Sequence, residues 1–358
     1  MLENKQPQYN EIARHAQKIG LINGYFAPFC QSHYQMVIKS LCENDLTLVI
    51  GYDDIPSALA RQIRHLKTFF QNEPSVFVAG QPFPITKNLA AIPQLLAKAQ
   101  VNLNQLRQLT WYTAKTSEED LILANLKQAP KTLANKINLV KSAWTGLDPK
   151  KIQANPFKYF DQITKPFRAD YVKKIAFIGA PSTGKTTLIR RLAQSFNASF
   201  SEETARDLEV SLAINDDDLT VDDYRFFVTS QHEVNQKAVL HSTNGLAFLD
   251  TTPLATAVYA KLYLTENQYQ SLKPLFDYYI NLEPLDLIIA TKPTGIFALD
   301  GGRSEEWADD GLRFFEELKR QAQMYHLSDR FVALDTIGPD YSFYDRYCDT
   351  TAKIKNIL

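Results

Sequence analysis

From about residue 18 to residue 140, short apolar runs alternate with segments whose apolar residues recur at helical spacing. Ile19-Gly20-Leu21-Ile22, Leu46-Thr47-Leu48-Val49-Ile50, Val76-Phe77-Val78-Ala79 and Leu109-Thr110-Trp111-Tyr112 predict strands. Between them, Gln35 to Cys42, Ile55 to Phe70 and Leu89 to Ala99 predict helices. Strand and helix in alternation argue for a parallel sheet covered on both faces, since each crossover helix must bury its apolar stripe against the sheet. Pro156, Pro166 and several aromatics break the alternation between Lys151 and Tyr171, so that stretch predicts the tail of one domain and a connection. The boundary is expected near residue 170, giving domains 1–170 and 171–358.

The second half repeats the pattern. Lys174-Ile175-Ala176-Phe177-Ile178 predicts a buried strand, and Leu188, Leu192 and Phe196, with Ile189 and Ala193 alongside, predict the helix behind it. Phe200 to Glu203 read as the end of a second strand, and Tyr224 to His241 as a polar helix. Further strands are expected at Gly245 to Asp250, Leu285 to Ala290 and Phe331 to Asp335. The fold class is therefore α/β with two parallel-sheet domains, the first Rossmann-like and the second with its first strand feeding a phosphate loop.

Gly179, Ala180, Pro181, Ser182, Thr183, Gly184, Lys185 and Thr186 form a complete G-x-x-x-x-G-K-[ST] phosphate loop at a strand-to-helix junction. With Thr187 behind them they predict an ATP-binding segment. A helix N-terminus and successive backbone N–H groups hold an anion there. Lys185 is expected to reach the β- and γ-phosphates and the Thr186 hydroxyl to ligate Mg²⁺.

The apolar run ending in Asp250 predicts a carboxylate that orients the metal, the alternative being a strand-end cap of the next turn. Glu203 and Arg206, one helical turn apart if a helix begins there, suit proton acceptance and neutralisation of a phosphoryl group; an exposed ion pair is the alternative. Trp307 to Arg313 follow a loop rich in Gly and Pro. They predict a mobile segment that carries Arg303 and Arg313 over the phosphates, with Trp307 stacking on a flat cationic ring. The alternative is a helix start capped by Asp309 or Asp310. His232, His241 and His326 lack metal-ligand spacing and are expected in surface or packing roles.

Composition narrows the partners. Across 358 residues, Lys plus Arg number 39 and Asp plus Glu 40, so no basic excess points to nucleic acid or an anionic membrane. Cys30, Cys42 and Cys348 are too few and too scattered for a disulfide framework. The polar N-terminus lacks a signal-peptide core and no apolar run approaches bilayer length, so no membrane insertion and a cytoplasmic location are expected.

The motifs GAPSTGKT, EETAR, FLDTTP, EEWADDGLR and YSFYDRY, in this order, resemble the ribosylnicotinamide kinase domain of the bifunctional NadR-type proteins. That family joins a nicotinamide-nucleotide adenylyltransferase domain to the kinase. The resemblance covers residues from about 172 to 358. It implies ATP-dependent phosphorylation of nicotinamide riboside, with Lys185 and Thr186 serving phosphate and Mg²⁺ and Asp250 the metal or the substrate hydroxyl. Glu203, Arg206, Asp250, Trp307 and Asp310 become candidate substrate contacts, and Arg313 an ATP contact. Thr204 replaces an aromatic of the family pattern, and Asp250-Thr251-Thr252 stands for its Asp-Thr-Asp.

The first half is similar to the family's adenylyltransferase domain in layout but not in chemistry. Of G-x-F-x-P-x-H-x-G-H, Gly24, Phe26 and Pro28 remain; Cys30 stands at the first His, Ser32 at the Gly, and His33 alone is kept. The I-S-x-T-x-I-R motif falls on Leu147 to Gln153, where Asp148 replaces the Ser and Gln153 the Arg. A carboxylate repels phosphates and Gln supplies no positive charge, so no useful adenylyl transfer is expected. The domain is expected to persist as a scaffold, a surface for homo-oligomer formation or a nucleotide sensor. Two alternatives stay open: a bifunctional enzyme, and an ATP- or NAD-responsive regulator without turnover. About 17 residues precede the first strand, too few for the helix-turn-helix module some members carry.

Overall fold

The computed structural model describes residues 5–113, 116–126, 131–141, 147–180, 183–205, 218–293, 307–338 and 341–358. The chain divides into two compact units, Met1–Asp170 and Tyr171–Leu358.

The first unit is built on β1 (Lys18–Gly24), β2 (Leu46–Tyr52), β3 (Val76–Gln81), β4 (Gln108–Thr113) and β5 (Ile137–Lys141). All pair in parallel in the order β3-β2-β1-β4-β5, so the chain reverses direction across the sheet between β1 and β4. Such a reversal opens a crevice at the strands' carboxyl ends. Ile19, Leu21, Leu46, Leu48, Ile50, Leu109 and Trp111 bury one face of the sheet against Ile92, Leu95 and Leu96.

Two helices differ from expectation. The one expected from Gln35 runs Gln31–Glu43, because Cys30 and His33 close a capping box ahead of it. The one expected over Leu89 to Ala99 is a 3₁₀ turn, Leu89–Ala91, followed by an α-helix, Ile92–Lys98. Pro93 lies in the first turn, where its missing N–H costs nothing but where it starts a helix rather than continuing one.

The second unit has β6 (Lys173–Gly179), β7 (Ser199–Ser201), β8 (Leu246–Asp250), β9 (Leu287–Thr291) and β10 (Phe331–Leu334). The order is β10-β9-β6-β8-β7, again all parallel, with the buried β6 at the centre. The helices Lys185–Phe196, Val221–His241, Glu266–Leu282 and Phe343–Lys355 complete its layers with a further one, Pro253–Tyr263. That helix buries Leu254, Ala255, Ala257, Val258 and Ala260, so it shows no polar face and no amphipathic period for sequence reading to find.

Trp307 to Arg313, expected to be a mobile cover or else a helix start, open the helix Trp307–Met324. Phe314, Phe315, Leu318 and Ala322 bury one face of this helix. A Cβ at Gly311 would lie 3.0 Å from Pro293 Cβ and 3.6 Å from Ala180 Cβ, so glycine lets the helix approach the start of the phosphate loop.

Candidate active site

β6 ends at Gly179, in register with Thr291 of β9. Thr183 then anchors the loop: its hydroxyl donates to Ala180 O at 2.9 Å and accepts from the Thr291 hydroxyl at 2.9 Å, while its carbonyl accepts from Arg346 Nη1 at 2.6 Å. Gly184 sits at φ 75°, a conformation that disfavours any residue with a Cβ, and turns the chain into the helix Lys185–Phe196. No side chain caps that helix, so its first-turn amides suit an incoming anion. Pro181 and Ser182 lie outside the described residues. Thr187 is exposed in the first turn.

Four expected residues converge here. Lys185 Nζ is 3.5 Å from Asp250 Oδ1 and 4.0 Å from Glu203 Oε2, and the Thr186 hydroxyl donates to Asp250 Oδ2 at 2.7 Å. Asp250 is 2% exposed and the Glu203 side chain 17%, so Glu203 is the more accessible carboxylate. Mg²⁺ takes hard oxygen ligands and keeps several waters, needing one or two protein oxygens beside a phosphate. Thr186 and Asp250 fit that demand. Among the described residues no group of three or more His, Cys, Asp or Glu forms a protein-only metal cage.

Arg313 is exposed on the Trp307–Met324 helix. Arg206 and Arg303, and the side chains of Trp307, Asp309 and Asp310, lie outside the described residues.

The backbone carrying the two carboxylates is held from one helix, Val221–His241. Gln231 Nε2 donates to Glu202 O at 3.1 Å and Asp250 O at 3.2 Å, and its Oε1 accepts from Thr204 N at 2.9 Å. Asn235 Nδ2 donates to Thr251 O at 3.2 Å and Glu283 Oε1 at 2.7 Å, and its Oδ1 accepts from the Ser201 hydroxyl at 2.6 Å. Thr251, a β-branched residue at φ 79°, is strained, and this network helps to hold it. Thr252 is buried, its hydroxyl without a hydrogen-bond partner.

His232, expected in a surface or packing role, pairs through Nδ1 with Glu283 Oε2 at 2.9 Å. Burial pushes the Glu283 carboxyl up, and His232 and Asn235 oppose that shift. Sequence reading missed Gln231 and Asn235. The available signal was two polar residues on a stripe otherwise made of Tyr224, Phe227, Val228, Ala238 and Val239.

The first unit has a cleft of about 300 Å³ at the carboxyl ends of β1 and β4, lined in part by Gly24, Phe26, Pro28, His33, Asp148 and Gln153. Cys30 is buried, and its backbone N–H donates to His33 Nδ1 at 3.2 Å, which leaves the neutral ring's proton on Nε2. The imidazole stacks on Phe29 at 5.4 Å and meets the edge of Phe26 at 5.1 Å. Burial pulls its pKa down to about 3, against a smaller opposing pull from Asp148. Desolvation raises the Cys30 thiol. Asp148 caps the short helix Pro149–Ala154, its carboxylate accepting from Lys150 N at 2.9 Å.

A family model described as an AAA domain matches residues 174–347. The Salmonella typhimurium trifunctional NAD biosynthesis/regulator protein NadR is 25% identical over 319 residues, covering 82% of this chain and 73% of that protein. The Escherichia coli protein of the same name matches to the same extent. A crystal structure of NadR protein in complex with NR superposes with a TM-score of 0.84 at 32% identity, over 95% of this chain and 96% of that one. One of NadR protein with NAD and AMP-PNP gives a TM-score of 0.81 at 30% identity, over the same shares of the two chains. With its two parallel-sheet units matched almost end to end at this identity, the chain belongs to the NadR family.

Proposed function

We propose that this chain, a kinase-type transferase, moves the γ-phosphoryl group of ATP to the 5′-hydroxyl of nicotinamide riboside, giving nicotinamide mononucleotide in NAD salvage. The observation that carries the reading is the convergence of Lys185, Thr186, Glu203 and Asp250 at an uncapped helix N-terminus. It gains support from the family member solved with NR and the one solved with NAD and AMP-PNP.

The roles follow from charge and access. The loop amides and Lys185 bind the β- and γ-phosphates. Thr186 and Asp250 hold Mg²⁺, which neutralises charge on the phosphates when bound. Glu203, the more accessible carboxylate, accepts the proton of the attacking hydroxyl. The reading assigns charge neutralisation to Arg206 and Arg313, and riboside contacts to Trp307 and Asp310. Catalysis is positioning and electrostatic stabilisation around an in-line transfer.

The first unit supplies no adenylyl transfer in this reading. Cys30 and Gln153 lack the required charge, and the helix amide beside its cleft is taken by Asp148.

Purified protein, riboside and Mg-ATP test the proposal. Mononucleotide should form with the wild type, should fall about 10²-fold or more in kcat with Glu203→Gln, and should leave KM for ATP nearly unchanged. A wild-type protein that binds ATP yet leaves the riboside unphosphorylated would overturn it.

A further inference from the structure

Arg346 is 0% exposed on the helix Phe343–Lys355, next to the end of the YSFYDRY motif. Its Nη1 donates to Thr183 O at 2.6 Å, one residue ahead of Gly184, and its Nη2 to Asp335 O at 2.5 Å, just past β10. Nε is buried without a hydrogen-bond partner. Among the described residues the guanidinium makes no ion pair. The Asp335 carboxylate is exposed and engaged at 2.7 Å by Lys292 Nζ, and the Tyr341 hydroxyl donates to Asp349. Desolvation pulls the Arg346 pKa down, and even so a guanidinium stays protonated.

A buried cation whose hydrogen bonds go only to carbonyls is costly, because the exposed Asp335 carboxylate attracts it without forming an ion pair. Its removal would relieve that cost but would strand the Thr183 and Asp335 carbonyls it serves. A charge so placed becomes favourable when an anion comes close within the same low-dielectric region. The phosphate loop whose carbonyl it holds is the part of the unit built to receive one.

We propose that Arg346 is a positioning residue whose buried charge is compensated by the phosphates of the bound nucleotide, so that filling the loop completes the electrostatics of the C-terminal helix. This rests on the reading that the loop takes ATP. It adds a second cation behind the loop, supplied from 163 residues away in the chain. It also makes the C-terminal helix responsive to loop occupancy.

The test compares the full-length wild type, Arg346→Met and Arg346→Lys. Affinities for adenosine, AMP, ADP and AMP-PNP are measured by calorimetry, and Tm with and without AMP-PNP. Arg346→Met should lose affinity for AMP-PNP by about tenfold, lose progressively less for ADP, AMP and adenosine, and gain less Tm from AMP-PNP than the wild type does. Arg346→Lys, which keeps the charge but not the fork, should retain most of the dependence on phosphate number. Equal loss for all four ligands, or unchanged AMP-PNP affinity in Arg346→Met, would overturn the proposal. If Arg346→Met does not fold, an Arg346→Lys protein that folds but loses the dependence on phosphate number overturns it. A wild type that binds no nucleotide overturns it together with the ATP reading, whereas a wild type that binds nucleotide without phosphorylating riboside overturns only the latter.

Discussion

Both units set a helix N-terminus beside the carboxyl edge of a five-stranded parallel sheet, and they differ in what meets its amides. In the second unit Gly184 brings no side chain to the helix start, and Lys185 and Thr186 stand in the first turn. In the first, the Asp148 carboxylate has taken the Lys150 amide and His33 is wedged neutral among phenylalanines. The same architecture thus supports an anion site in one half and a self-satisfied one in the other. A few side chains at the strand ends decide which.

Five experiments press on this contrast. Lys185→Ala should have the largest effect, lowering phosphoryl transfer about 10³-fold or more, while Cys30→Ala in the first unit leaves the rate unchanged; steady-state kinetics compares them. If both substitutions lowered the rate alike, the division of labour would be wrong.

Asn235→Leu strands the partners of its amide. A loss of about 2 kcal/mol of stability is expected, with kcat falling while KM for ATP holds, because Thr251 and the backbone beside Asp250 lose their tether. Denaturant unfolding and kinetics on one preparation separate the two effects.

Asp148→Ala removes the cap from Pro149–Ala154 and should cost about 1 kcal/mol, with kinase activity unaltered. An assay for NAD formation from mononucleotide and ATP sharpens this. The Cys30→His, Gln153→Arg pair should stay silent while the Asp148 carboxylate sits at the cleft, and gain activity when Asp148→Ser removes its charge.

The last comparison concerns pH. His33 binds its proton near pH 6.5 when unfolded and near 3 when folded, so the unfolded state holds more protons between those values. Its neutral form therefore supports the fold fully above about pH 6.5, and that support is lost as pH falls, by at most about 1.4 kcal/mol per pH unit. His33→Gln keeps an acceptor for the Cys30 amide and should flatten the dependence of Tm on pH over this window. An unchanged slope would mean that other groups carry it.

Much of the kinase-type site was legible because its parts are local. The phosphate loop is contiguous, Asp250 ends an apolar run, and Glu203 follows a short strand. The Asp148 cap was legible too, since Asp followed by Pro marks a helix start, but sequence reading took the carboxylate for a phosphate repeller. Of the two readings of Trp307 to Arg313, the helix start is present, carried by the apolar spacing of Phe314, Phe315, Leu318 and Ala322.

Sequence by itself determined the alternation of strand and helix, the phosphate loop and the residue types at the strand ends, because each rests on periodicity or on neighbouring residues. Tertiary structure alone decided that Gln231 and Asn235 hold the backbone of both carboxylates, that Glu283 pairs with His232, and that Arg346 lies behind Thr183. Those pairings span 16 to 163 residues. No periodicity encodes them: they exist because the parallel sheet brings distant strand ends to one edge, where buried polar groups must find partners.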